Sequence, residues 1–289
     1  VTSEQLVEIE LEAPATVAGR RGRRRIPWGT RIGGVILGCY IFMATLGPVL
    51  APDDPLHQDI STMLQRPTAH HLLGTDALGR DLLSRLLYAT RYDLLLALSA
   101  TGLALVAGTV VGLLAGYFRG VIDLALSRIV DLVLTIPPYP LLVLMLFALG
   151  SGTVAVILAF AVTDWVGYAR LSRAQVFVTR EQEFIAAAQL GALGHFRIIV
   201  RHVLPNVGTQ LVVLWASDIV IAIGTIAALG YLGIGIQPPK AEWGVMVVDG
   251  QDYLLTNWWL AVAPGLMIVV LGVGLALVAD FLVGRGRRE

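Results

Sequence analysis

Residues 170–206 read RLSRAQVFVTREQEFIAAAQLGALGHFRIIVRHVLPN, a polar interruption set between two long apolar runs. The chain as a whole is 56% hydrophobic and only 15% charged, with a mean hydropathy of +0.75. A soluble domain carries about 25% charged residues. In so apolar a chain, a segment this rich in Arg, Glu and Gln belongs outside the hydrocarbon. Its length and helical pattern suit an amphipathic hairpin that another protein can grip. The combination points to a membrane pore driven by a soluble partner.

Working outward from that segment, a helix needs about 20 apolar residues to cross a bilayer. The sequence offers six such runs, at about 32–51, 94–118, 132–149, 152–168, 207–236 and 258–283. Only helices or closed barrels satisfy their backbone inside lipid, and runs this long favour helices. The expected fold is therefore an all-α integral membrane protein with six spans. The first apolar run is too long for a signal-peptide core and has no A-x-A site before its end, so it reads as retained. Residues 1–30 form an Arg-rich tail expected to be disordered. It serves as a topology anchor or touches anionic headgroups, worth about 1 kcal/mol per basic residue near the surface.

Basic residues set the direction. Arg20, Arg21, Arg23, Arg24, Arg25 and Arg31 precede the first span, Arg285, Arg287 and Arg288 follow the last, and Arg170, Arg173, Arg180, Arg197 and Arg201 lie in the central loop. The opposite side holds Arg66, Arg80, Arg85, Arg91 and Lys240 among many acids. By the positive-inside rule both termini and the central loop are cytoplasmic. Zero net charge makes no case for nucleic acid. The single Cys39 allows no internal disulfide. The five histidines lack zinc-ligand spacing; His70 and His71 are adjacent, poor geometry for one metal, and read as surface residues.

Within the loop, 181–189 favours helix, with Phe184, Ala187 and Ala188 on one face. Gly191, Ala192, Leu193 and Gly194 read as a turn. A second helix starts near His195 with Phe196, Ile199, Val200 and Val203 as its stripe, and Pro205 either ends it or opens the fifth span.

This helix–turn–helix resembles the EAA loop of ABC importer permeases. Counting back from Leu204-Pro205, the triplet falls on Ala186-Ala187-Ala188 and the motif glycine on Ala192. The motif's Glu is thus Ala186 here, with Glu183 as a nearby substitute, while Gly191 and Gly194 flank the turn. The resemblance extends over nearly all of the chain beyond residue 30. It becomes specific to the C-type permease subunit of bacterial dipeptide and oligopeptide importers. The carrying residues are HLLGTDALGRD at 71–81, DLVLTIP at 131–137, YARL at 168–171, Gln237-Pro238-Pro239, Trp243-Gly244 and Gly250. The C-terminal end departs from that pattern at Ala279, Val283 and Gly284, although Asp280 is kept.

The resemblance implies an ABC permease domain over 31–289, with the coupling loop at 170–206. Glu183, Phe184, Ala186, Ala187, Ala188, Gly191, Ala192, Leu204 and Pro205 would meet the ATPase. It implies a second, B-type permease, two cytoplasmic ATPase subunits and an external peptide-binding protein. ATP and Mg would be used by the ATPases, since this chain has no phosphate loop, binds no cofactor of its own and is not an enzyme. The substrate would be an oligopeptide or dipeptide, although importers of nickel, glutathione and antimicrobial peptides look alike. The alternative is a proton- or ion-coupled secondary transporter, for which no inverted repeat is evident.

Gly74, Thr75, Asp76, Gly79, Arg80 and Asp81 read as a structural brace at the outer pore mouth rather than a substrate contact. Thr75 and Asp76 would cap a helix carrying Arg80 and Asp81, with Asp76 and Arg80 paired. Ionisable groups in spans cost roughly 2.5–3.5 kcal/mol each at mid-membrane. Asp164 and Asp218 therefore face other helices or a hydrophilic path, and Arg128 and Asp131 either pair or line that path. Pro137, Pro138 and Pro140 kink or break the third span. Gly108, Gly112 and Gly116 mark close approach to another helix, in this chain or in a second subunit.

Overall fold

A computed structural model describes residues 28–286, with side chains through Ala279. The expected tail lies outside the described residues except for its last three positions, which open the first helix. Ten helices follow in order: α1 (Trp28–Leu50), α2 (Leu82–Phe118), α3 (Gly120–Leu134), α4 (Pro138–Leu149), α5 (Thr153–Arg180), α6 (Glu183–Leu190), α7 (His195–Ile198), α8 (Leu204–Tyr231), α9 (Trp243–Gln251) and α10 (Trp259–Gly286). A turn of π-helix, Ile199–Val203, joins α7 to α8. Five helices are long and apolar enough to cross a membrane, and α3 with α4 makes a sixth if that bent pair is one span.

The boundaries differ from the sequence expectation where polar residues find partners. The second span begins at Leu82 rather than near 94, because Asp81 caps it: the Ser84 N–H donates to Asp81 Oδ2 at 2.8 Å. The fourth continues past 168 to Arg180, since Val166, Ala169, Ser172 and Val176 keep one stripe buried. The third is not one run: α3 and α4 meet at 89°. Thr135 caps α3, and Pro138 sits in the first turn of α4, where a missing N–H costs nothing. Pro205 likewise opens α8. Arg119 and Gly120, at φ 55° and 59°, turn the chain from α2 into α3.

The α2–α5 pair is the spine of the bundle. Cβ atoms at Gly108, Gly112 and Gly116 would overlap Trp165 and Tyr168, Ser172 and Ala169, and Val176 respectively. The glycine repeat therefore finds its partner inside this chain. α1 lies along α10 and α2, and α9 is wedged between α8 and α10. One buried cluster, including Leu96, Phe160, Ile223, Trp243 and Leu271, fills the end of the bundle near α9. A second, including Tyr117, Tyr168, Val176, Ile185, Ile198, Val203 and Leu211, fills the end that carries α6 and α7. Large apolar side chains remain exposed along α1, α3 and α4, among them Val35, Leu132 and Phe147. Lipid or another helix tolerates such a surface; water does not.

Candidate functional site

At the α9 end, the 71–81 signature is a loop that precedes α2, not a capped helix. Thr75 and Asp76 close the loop instead. The Gln65 N–H donates to Thr75 Oγ1 at 2.9 Å, and the Thr75 hydroxyl donates to the Thr62 carbonyl. The N–H groups of Leu78 and Arg80 donate to Asp76 Oδ1 at 2.9 and 3.0 Å. Gly79 at φ +72° lies against the Asp59 backbone so closely that a Cβ there would overlap it.

The expected Arg80–Asp76 pair forms, at 2.6 Å, but it belongs to a larger group. Arg80 Nη2 also reaches Asp249 Oδ2 at 3.3 Å. Arg85 lies 3.6 Å from Asp76 and 3.7 Å from Asp249. Two buried guanidinium groups thus share two carboxylates, one from the loop and one from α9. Removing either carboxylate leaves a buried charge uncompensated. Sequence reasoning missed Arg85 and Asp249 in this group; an Arg just inside an apolar helix was the available signal.

Below this group, Asp93 of α2 accepts the Trp243 N–H at 3.0 Å. Glu242 caps α9 by accepting from Gly244 N and Val245 N, both at 2.8 Å. Burial pushes the Glu242 carboxyl up to about 7, against the pull of those two N–H groups. His71 is not a free surface residue: its Nδ1 lies 3.0 Å from Asp81 Oδ1 and 3.8 Å from Asp53 Oδ2.

Midway along the bundle, Asp164 of α5 and Asp218 of α8 lie near each other, each partly buried. The Thr163 hydroxyl donates to Asp164 Oδ1 at 3.1 Å. The Tyr168 hydroxyl approaches Asp218 without completing an aligned hydrogen bond, and it is buried with no other partner. Arg128 and Asp131 do not pair; both are exposed on α3. The ion pair in that region is instead Arg173 with Asp123, with Nη2 to Oδ2 at 2.8 Å.

At the other end, α6 and α7 form the expected hairpin with a different face inward. Ile185 and Ala188 of α6 are buried, whereas Phe184 is exposed. In the second arm Ile198, Val203, Val207 and Leu211 are buried, while Phe196 and Val200 are exposed. The π-turn is the reason: it inserts one residue, so the buried positions step by five from Ile198 to Val203 before returning to a helical spacing. Gly191, expected to make the turn, has φ −70° as the α6 C-cap. Ala192, at the motif's glycine position, takes φ +53°.

Arginines and aromatic rings anchor the root of the hairpin to the end of α2. The Tyr117 hydroxyl and His195 Nδ1 are 3.0 Å apart, and Arg180 donates to the Tyr117 carbonyl. Arg119 pairs with Glu181, and the guanidinium groups of Arg119 and Arg173 lie 4.9 and 4.8 Å from the Phe177 ring centre. Glu183 has no ion pair among the described residues. Ala186, Ala187 and Pro205 are exposed, and Leu204 packs partly onto the core below. Leu190 and Phe196 stand out at 89% and 80% exposure.

A bundle of this form, with a short-helix hairpin at one end, has the ABC importer permease fold. Solved structures of the MetNI methionine ABC transporter match it with a TM-score of 0.52 at 21% identity, covering 67% of this chain and 92% of that one. An amino acid ABC transporter with histidines matches with a TM-score of 0.52 at 15% identity, over 71% and 94%.

The chain belongs to the binding-protein-dependent transport system inner membrane components, whose family model matches residues 108–288. The di/tripeptide transport system permease protein DppC of Pseudomonas aeruginosa is 37% identical over 89% of this chain and 86% of its own length. The nickel transport system permease protein NikC of Escherichia coli is 36% identical over 88% and 92%. The probable D,D-dipeptide transport system permease protein DdpC of Escherichia coli is 36% identical over 87% and 84%. The protein is accordingly a multi-pass permease of a bacterial inner membrane, a transport component rather than a member of an enzyme family.

Proposed function

We propose that this chain is the C-type permease of an ATP-driven peptide importer and forms half of its pore. The observation that carries this reading is the hairpin. Its inner face is locked onto α2, α5 and α8 through Ile185, Ile198 and Val203. Its outer face presents Phe184, Leu190, Phe196 and Val200 to a partner. An apolar handle so mounted transmits a push from outside to three spans at once.

In this reading the partner is a pair of cytoplasmic ATPase subunits, which carry out all ATP and Mg chemistry. Glu183, Phe184, Ala186, Ala187, Ala188, Gly191, Ala192, Leu204 and Pro205 make up the coupling unit, with Leu190 and Phe196 as its apolar contacts. A B-type permease completes the pore, and an external binding protein delivers the solute. Asp164 and Asp218, with Tyr168 beside Asp218, supply the polar path, and Asp131 lies at its hairpin end. Gly74, Thr75, Asp76, Gly79, Arg80 and Asp81 brace the outer mouth. Peptide is the proposed solute because relatives named for di/tripeptide and D,D-dipeptide transport match it over most of their length. A secondary transporter is disfavoured by membership of a binding-protein-dependent family.

The test uses the assembled transporter in proteoliposomes. Leu190→Asp with Phe196→Asp should abolish ATP-driven uptake of labelled di- and oligopeptides and release the ATPase on purification, while the permease pair stays folded. Uptake that follows a proton gradient and ignores ATP would sink the reading.

A further inference from the structure

We infer that Asp53, His71 and Asp81 form a divalent-cation site that staples the end of α1 to the start of α2. The ligand-capable atoms of these three residues all lie within 4.8 Å of one another. Zinc–nitrogen and zinc–oxygen bonds run about 2.0–2.2 Å, so two ligand atoms on one ion, subtending roughly 90–130°, sit about 3.0–3.8 Å apart. His71 Nδ1 is 3.0 Å from Asp81 Oδ1 and 3.8 Å from Asp53 Oδ2. Both separations from His71 fall within that window, and the exposed Asp53 side chain is free to swing in to complete the shell with Asp81.

The three groups are held from behind. Asp81 is buried, and its other oxygen, Oδ2, is committed to the Ser84 N–H. The hydroxyl of the same Ser84 accepts the Asp53 N–H at 3.0 Å. The backbone of His71 is fixed on both its groups. Its N–H donates to Thr68 Oγ1 at 3.1 Å, and its carbonyl accepts from Thr68 N and Gly74 N at 2.8 and 2.9 Å. The charged neighbours Arg80 and Arg85 are engaged by Asp76 and Asp249, which leaves two carboxylates facing one imidazole. A divalent cation balances that pair of charges, and the attraction of two carboxylates opposes the repulsion from the partial positive charge at the start of α2.

One nitrogen and two oxygens suit zinc, nickel, cobalt or manganese better than the all-oxygen preference of calcium or magnesium. Asp53 is exposed enough for the ion to enter. Asp53 lies just after α1 and Asp81 caps α2, so a bound ion closes the whole 52–81 loop across the two helix ends.

The experiment uses the intact transporter in nanodiscs, stripped with EDTA and titrated with ZnCl2 against a chromophoric chelator. Wild type should take up one saturable zinc per copy of this chain, with protease protection of the 52–81 loop. His71→Ala and Asp53→Asn should each weaken that binding by at least about tenfold, and Asp54→Asn should leave it unchanged. Asp53 is exposed, so its variant keeps the test valid if His71→Ala assembles poorly. Equal zinc uptake in Asp53→Asn overturns the proposal as adventitious binding. No uptake by wild type overturns it in favour of a plain imidazole–carboxylate ion pair. Neither outcome touches the import reading, because no transport is measured.

Discussion

Ala192 sits in a backbone conformation that favours glycine. Its φ of +53° places a Cβ in the left-handed region, which disfavours L residues by roughly 1–2 kcal/mol. Ala192→Gly should relieve that strain at the price of some unfolded-state entropy, a net gain on the order of 1 kcal/mol at most. Amide hydrogen exchange across 188–195 should slow; unchanged or faster exchange would show that the turn is not strained. Glu242 gives a second test at this scale. Its carboxyl is raised from 4.5 to about 7 in the folded chain, chiefly by burial. The folded state then binds more protons than the unfolded one between those values. Its contribution is therefore favourable at low pH and is lost as pH rises from about 4.5 toward 7, with no further change above. Thermal melts of the purified complex should show this decline, and Glu242→Leu, which cannot ionise, should reduce its size while lowering overall stability through the lost α9 cap.

The α2–α5 pair sets how the elements meet. Gly112 faces Ser172 and the Ala169 carbonyl, and a Cβ overlaps both. Gly102 on the same helix has nothing within 4 Å of its Cβ position. Gly112→Val should push the two helices apart at a cost of about 1–3 kcal/mol or more. Gly102→Ala should be neutral or stabilising by up to about 1 kcal/mol. Detergent melting temperatures of the two variants should move in different directions; equal shifts would contradict the packing described. Element boundaries were harder to read from sequence than element existence. Nothing in 199–203 announces a π-turn, because its apolar residues match an ordinary helix equally well. Hence Phe196 and Val200 were expected inside but are exposed, Ile198 is buried in their place, and Val203 is buried as expected. The bend between α3 and α4 was signalled by three prolines, but its size depends on what each half packs against.

At the scale of the molecule, most charged groups sort to the two ends, with Asp164 and Asp218 between them, and apolar side chains cover much of the helix surface in the middle. The basic hairpin end should face the cytoplasm. Cys39 is the one cysteine in the chain, so Cys39→Ser gives a clean background. In it, Leu190→Cys should resist membrane-impermeant maleimide added outside intact cells and react in inside-out vesicles. Leu56→Cys should show the opposite pattern. Labelling of position 190 from outside would invert the topology and remove the ATPase from that end.

Hydropathy and the polar 170–206 interval were enough to define an all-helical, multi-pass membrane protein with a helical hairpin between two spans, because burying charge in lipid is costly at every position and leaves a one-dimensional trace; the permease class was legible only through the resemblance of its motifs to a known family. The grouping of Asp53 with His71 and Asp81, of Arg85 with Asp249, and of Asp164 with Asp218 was decided only by the tertiary structure. Such groups depend on helix phase, a π-turn and loop closure, and distance along the chain carries no record of those.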